Sequence, residues 1–158
     1  MDKQNQQVRL PLEGVKVVEM ATVVAAPTTA RMLCAYGAEV IKVETVSGDV
    51  MRLSGTHEFT PYEDDCNPLF TIHNSNKKFI SINIKTEEGK KVLLDLIRDS
   101  DVFITNVREK SLQRSGLDYE ALREVNPKLI YAHFKGYGDK GPSANDPGFD
   151  ISAFWLRS

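Results

Sequence analysis

Five short β-rich runs spaced along the chain, with helix signals between most of them, constrain this 158-residue sequence more than any other feature. Val15 to Met20, Glu39 to Glu44, Phe79 to Ile84, Val102 to Thr105 and Leu129 to Phe134 each have the length and content of a buried strand. Between the first two, Pro27 suits the first turn of a helix, which is predicted to run to about Tyr36 and stop at Gly37. Thr86 is placed to cap a second helix, with Glu87 and Glu88 in its first turn and an apolar face of Val92, Leu93, Leu96 and Ile97. Asp118 caps a third, short helix ending at Asn126-Pro127. Strands alternating with helices predict an α/β fold with a mostly parallel sheet and flanking helices. Ligands of such sheets bind beyond the carboxyl ends of the strands, which here carry Ala21 to Ala26, Glu44 to Gly48, Asn106 to Arg108 and Lys135 to Gly138.

The remaining segments are less regular. Residues 1–9 are polar and read as a loose tail, and residues 10–158 as one domain. Residues 45–69 contain Gly48, Gly55, Pro61 and Pro68 and predict a long loop with room for a short helix. Pro147-Gly148-Phe149-Asp150 leads into a helix, with Asp150 as a cap and Ile151, Phe154 and Trp155 at helical spacing. That helix has barely two turns before Ser158. The expectation is a chain that ends early, against the alternative of a short helix docked on its own domain.

Several function classes lose support at once. A net charge of −2 gives no global positive field for nucleic acid or a membrane surface. No apolar run is long enough to span a bilayer, and the first residues do not form a secretory signal. Cys34 and Cys66 are far apart, which argues against a disulfide framework or zinc site and for a reducing, cytoplasmic setting. His57, His73 and His133 share no metal-like spacing, and His133 reads as a structural histidine in a strand. Glu63, Asp64 and Asp65 read as a solvated loop, Ser111 and Ser115 lack a nucleophile-elbow context, and Cys34 reads as a small core residue. No G-x-G-x-x-G follows the first strand, so a nicotinamide enzyme is disfavoured. Ala21, Ala25 and Ala26 would let a phosphate approach a helix N-terminus, but tight helix packing explains them better.

Eight segments in order carry a resemblance. They are Leu12 to Glu19, Gly37 to Glu44, Ser47-Gly48-Asp49, and Asn76-Lys77-Lys78 with Ile82 to Lys85. The others are Asp101 to Asn106, Gly116 to Tyr119, Asn126 to Ile130, and Gly136 to Pro142. Together they resemble the class III coenzyme A (CoA) transferases, of the formyl-CoA and crotonobetainyl-CoA transferase type. Gly136 to Pro142 followed by Pro147 to Asp150 is most similar to the branch acting on 2-hydroxy acids in amino-acid fermentation, such as the 2-hydroxyisocaproate and phenyllactate CoA-transferases.

The resemblance implies the N-terminal, incomplete part of a Rossmann-like large domain, in a protein that forms an interlocked homodimer. It implies acyl-CoA and a carboxylic acid as substrates, no covalently bound cofactor and no metal. It places CoA along Val24, Ala25, Thr45, Ile82, Asn83, Ile84, Lys85, Asn106, Val107, Arg108, Arg114, Lys135, Gly136, Tyr137 and Gly138. Lys85 and Arg114 are the natural phosphate partners. It also implies a nucleophilic aspartate that passes through acyl anhydride and aspartyl-CoA thioester stages. That aspartate is expected beyond Ser158, because Asp139, Asp146 and Asp150 do not match its position. In the related acyl-CoA racemases a catalytic histidine stands where Phe149 stands here, which disfavours a racemase. A CoA-binding or dimerising module without chemistry is the alternative of a different kind.

Overall fold

The computed structural model describes residues 9–53, 67–149 and 154–155. Expectations for the first eight residues, for Asp150 and Ile151 and for the acidic run at 63–65 lie outside the described residues.

Five strands, β1 (Lys16–Met20), β2 (Glu39–Glu44), β3 (Lys78–Ser81), β4 (Val102–Thr105) and β5 (Ile130–His133), form one sheet in the order β3-β2-β1-β4-β5. Every neighbouring pair is parallel. Parallel neighbours require crossovers, and the chain supplies them as α1 (Ala25–Ala35), α2 (Pro68–Asn74), α3 (Glu87–Arg98), α4 (Glu109–Ser115) and α5 (Tyr119–Val125). β1 alternates between two cores, as a strand covered on both faces must. Val18 and Met20 join Phe103, Leu93, Ile97, Leu112 and Leu122 under α3, α4 and α5. Val17 and Ala21 join Ala26, Ala30, Val40 and Ile104 under α1.

The caps follow the sequence closely. Pro27 lies in the first turn of α1, and Gly37, at φ +103°, takes the chain out of it. The Thr86 side chain accepts from the Gly89 N–H at 3.1 Å, and Asp118 accepts from Ala121 N–H at 3.3 Å.

Two differences have clear causes. β3 stops at Ser81 rather than Ile84. Asn83 ends it: its side chain accepts from Lys85 N–H, and its carbonyl accepts from the Thr86 N–H and hydroxyl, so the chain turns into α3. A side chain at Gly89 would collide with that Asn83 carbonyl. Secondly, α2, of seven residues, begins at the end of the 45–69 segment that reads as a loop with room for a short helix, and α4, also of seven, carries no helix signal in that reading. Asn67 caps α2 by accepting from Phe70 N–H at 2.9 Å, with Pro68 at its first position. Gly116, at φ +62°, ends α4.

Among the described residues, no helix is long and apolar enough to cross a membrane, and no three His, Cys, Asp or Glu residues gather as a metal site would need.

Candidate functional site

The strand order reverses its direction of growth at β1, with β2 and β3 on one side and β4 and β5 on the other. In an open α/β sheet the crevice beyond the carboxyl ends at that point is where ligands bind. Here the side chain of Asn106, just past β4, closes on the backbone of Thr22, just past β1. Its Nδ2 donates to the Thr22 carbonyl at 2.7 Å and its Oδ1 accepts from the Thr22 N–H at 3.1 Å. The next residue, Val23, sits at φ +69°, a left-handed conformation that a β-branched residue rarely adopts. Val24 then starts α1 without a side-chain cap.

Two clefts open from this point. A polar one of about 430 Å³ is lined by Thr22, Val23 and Ala25, by Asn106 to Glu109, by His133 to Gly136, and by residues 144–149. An apolar one of about 220 Å³ lies between the ends of β1 and β2 and helix α4, lined by Met20, Val43, Thr45, Ile82, Ile84, Val107, Ser111, Leu112 and Ser115 among others. Thr22 and Val107 line both. The expected CoA positions therefore divide. Ala25, Asn106, Val107, Arg108, Lys135 and Gly136 fall on the polar cleft, and Thr45, Ile82, Ile84 and Val107 on the apolar one. Val24 stands at the start of α1 and lines neither cleft. Asn83 and Lys85 are exposed on the turn beyond β3. Arg114 is exposed on α4 and folds back, its Nε donating to the Lys110 carbonyl at 3.2 Å and its terminal nitrogen to Ser111 Oγ at 3.2 Å. Tyr137 and Gly138 continue the turn from Gly136 and line neither cleft.

The wall of the polar cleft is ionic. Lys135 Nζ lies 2.9 Å from Glu109 Oε2 and 2.7 Å from Asp139 Oδ1. Burial works against the Lys135 ammonium, but its hydrogen bonds to Asp139 and Glu109 outweigh this and raise its pKa above the ordinary lysine value. The same hydrogen bond lowers the Asp139 pKa. His133 spans two acceptors, with Nε2 2.8 Å from the Val107 carbonyl and Nδ1 3.3 Å from Glu109 Oε2. The ring thus links β5 to the residues after β4. Gly136 and Gly148 meet back to back, so that a Cβ on either would come 2.6 Å from the other's Cα. This contact docks the Lys-Gly-Tyr-Gly turn on the Pro-Gly-Phe segment.

Ala21 and Ala26 are buried in the α1 core, as tight packing predicts, while Ala25 is exposed at the cleft.

One feature went unread in the sequence: a quartet of charges with fully buried side chains beneath the β1–α1 loop. Glu19 and Lys42 are register partners on β1 and β2, with Oε1 and Nζ 2.8 Å apart. Lys42 Nζ also lies 2.9 Å from Asp49 Oδ2, and Lys77 Nζ 2.6 Å from Glu19 Oε2. Glu19 Oε2 and Asp49 Oδ2 receive no well-aligned hydrogen bond, yet at these separations the Coulomb attraction holds regardless of angle. Desolvation lowers the Lys77 pKa, against the opposing pull of Glu19. Each of the first four matched segments contributes one member. The legible signal was a charge at Glu19 and at Lys42 inside otherwise apolar strands.

Residues 12–157 match CoA-transferase family III. The (R)-2-hydroxy-4-methylpentanoate CoA-transferase of Clostridioides difficile is 46% identical over 146 residues, covering 92% of this chain and 37% of that protein. The cinnamoyl-CoA:phenyllactate CoA-transferase of Clostridium sporogenes is 45% identical over 144 residues, covering 91% of this chain and 35% of the relative. A crystal structure of a CAIB/BAIF family protein from Brucella suis superposes with a TM-score of 0.83 at 39% identity, over 90% of this chain and 38% of that one. The chain thus spans little more than a third of the length of these relatives, and within that span the match is nearly continuous. On sequence and fold together, the chain belongs to CoA-transferase family III.

Proposed function

We propose that this chain supplies the CoA-binding part of an enzyme that moves CoA from an acyl-CoA to a carboxylic acid, with a 2-hydroxy acid as the acid partner. The observation that carries the reading is the pair of clefts joined at Thr22 and Val107 on the switch point of the sheet. CoA has a flat purine, an anionic phosphate region and a thin amide-bearing arm ending in a thiol. The apolar cleft suits the purine. Lys85 and Arg114, each next to a residue lining that cleft, suit the phosphates. The polar cleft, with Asn106 and the Lys135–Gly136 turn, suits the arm.

In this reading a carboxylate outside these 158 residues attacks the acyl carbonyl, forms an anhydride and releases the CoA thiolate. The thiolate returns to the enzyme carbonyl, forming a thioester and freeing the donor acid. The acceptor carboxylate attacks that thioester, forming a second anhydride and releasing the thiolate again. The thiolate then takes the acceptor acyl group and regenerates the enzyme carboxylate. Within this chain, Glu109 and Asp139 are already engaged by Lys135 and make poor attackers. The 2-hydroxy acid assignment follows the names of the two clostridial relatives. An interlocked homodimer would cover Phe154 and Trp155, which are each 69% exposed.

The test is to incubate the protein with a 2-hydroxyacyl-CoA and an acceptor acid and then add hydroxylamine. No turnover and no hydroxamate on any aspartate of the chain is expected for these 158 residues alone. A hydroxamate on Asp139 or Asp146, or turnover, would overturn the placement of the nucleophile. Failure to bind free CoA would overturn the reading itself.

A further inference from the structure

The buried quartet poses a question that stability does not answer. A buried ion pair is often no more stabilising than well-packed apolar residues of the same volume. Four charges with fully buried side chains in a domain this size therefore call for another account. Their remaining bonds supply one. Lys42 Nζ donates to the Ala21 carbonyl at 2.7 Å and Lys77 Nζ to the Pro27 carbonyl at 2.9 Å. Asp49 Oδ1 accepts from the Val23 N–H at 3.4 Å and from the Met51 N–H at 3.0 Å. Three backbone groups, two along the β1–α1 loop and one in the first turn of α1, are thus held by side chains from β2, the β2–α2 connection and the α2–β3 turn. Between them sits Val23 at φ +69°. A β-branched residue stays in that region only where its surroundings over-determine it. The Asn106 side chain pins the same loop from β4 through both polar groups of Thr22. Thr22 and Val23 of this loop, and Ala25 at the start of α1, line the polar cleft.

We propose that Glu19, Lys42, Asp49 and Lys77 are positioning residues: they hold the β1–α1 loop, with Val23 left-handed, in the one conformation that accepts CoA. The proposal rests on the CoA-binding reading above. If the competent loop falls to about a tenth of the population, the apparent dissociation constant rises about tenfold. A role in core stability alone would leave the loop and the affinity of the folded fraction unchanged.

Three variants test it in the purified protein: the charge-balanced Glu19→Gln/Lys77→Met, the near-isosteric Asp49→Asn, and Asp49→Ala. Two readouts are taken. One is the NMR signature of the loop without ligand, above all the strong intraresidue amide-to-Hα NOE of a left-handed Val23. The other is the affinity for free CoA. In the charge-balanced variant we expect the Thr22 to Ala26 resonances to move, the Val23 NOE to weaken and the dissociation constant to rise about tenfold. Asp49→Asn retains an acceptor for Val23 but turns an amide nitrogen toward the Lys42 ammonium, so both readouts fall part of the way, and Asp49→Ala loses both. A folded charge-balanced variant with unmoved loop resonances and affinity within about twofold overturns the proposal. If that variant does not fold, the Asp49 pair decides, and an Asp49→Ala protein with an intact Val23 NOE overturns the proposal. If the unmodified protein binds no CoA, the functional reading fails, while the loop resonances still decide the positioning role.

Discussion

Two ionic clusters flank the β1–α1 loop, and they are built from the same parts in opposite environments. In each, a lysine lies between two carboxylates: Lys42 between Glu19 and Asp49, and Lys135 between Glu109 and Asp139. The first has no solvent exposure, whereas in the second Lys135 is 19% exposed and Asp139 79%. Charge placed under the sheet edge cannot exchange partners, because releasing one leaves an ion stranded in an apolar medium. Charge placed on the cleft wall can, because its partial exposure lets solvent or an anion replace the partner. The same pairing thus serves as a fixture on one side and as an adaptable surface on the other.

The two clusters should differ most in what they contribute to stability. Lys42→Met leaves Glu19 and Asp49 without their shared partner and should cost about 3–5 kcal/mol, read by urea denaturation. Lys135→Met, by contrast, should cost under about 1 kcal/mol. Equal costs would show that burial does not separate the clusters. A smaller effect sharpens the cleft side. Gly148→Ala forces a Cβ against Gly136 and should cost about 1–3 kcal/mol while loosening the Lys135–Gly138 turn. Hydrogen exchange at residues 135–138 that stays as slow as in the unmodified protein would argue against that contact.

Tyr131 offers a pH test of the core beside the polar cleft. Its hydroxyl donates to the Leu117 carbonyl at 3.0 Å, and burial, with Glu109 and Asp118 nearby, raises its pKa well above that of an ordinary tyrosine. A folded pKa above the unfolded one gives stability that is complete below about pH 10 and lost as pH rises beyond it. Thermal melts should therefore decline above about pH 10, and Tyr131→Phe should decline less steeply. The smallest expected effect is Lys85→Ala. As an exposed residue it should change stability by no more than about 0.5 kcal/mol. It should weaken CoA binding by about 1 kcal/mol, an effect that shrinks with added salt.

What the sequence revealed and what it hid divide along physical lines. β1, β2, β4 and β5 were legible because short apolar runs between turn residues have few other uses, and α1, α3 and α5 because Pro27, Thr86 and Asp118 announce them. α2 and α4 are too short for a periodic face, though Asn67-Pro68 and Gly116 were signals in hindsight. The strand-end segments were legible as a candidate site because the parallel topology fixes which ends carry the loops. How those segments divide between two clefts was not, since that depends on where α4 lies. The quartet was hidden because its members come from four separate segments, and only the register of β1 against β2 brings Glu19 opposite Lys42.

CoA binding is expected at the carboxyl edge of the sheet and not at its amino edge. The amino edge has its own cleft of about 360 Å³, lined by Lys16, Glu39, Asp95 and Asp99 among others, and so provides an internal control. Hydrogen exchange of the protein with and without saturating free CoA measures both edges at once. Slower exchange is expected at residues 22–26, 82–85, 106–108 and 135–138, with no change around Lys16, Glu39 and Asp95. Protection confined to the amino edge, or no protection at millimolar CoA, would contradict it.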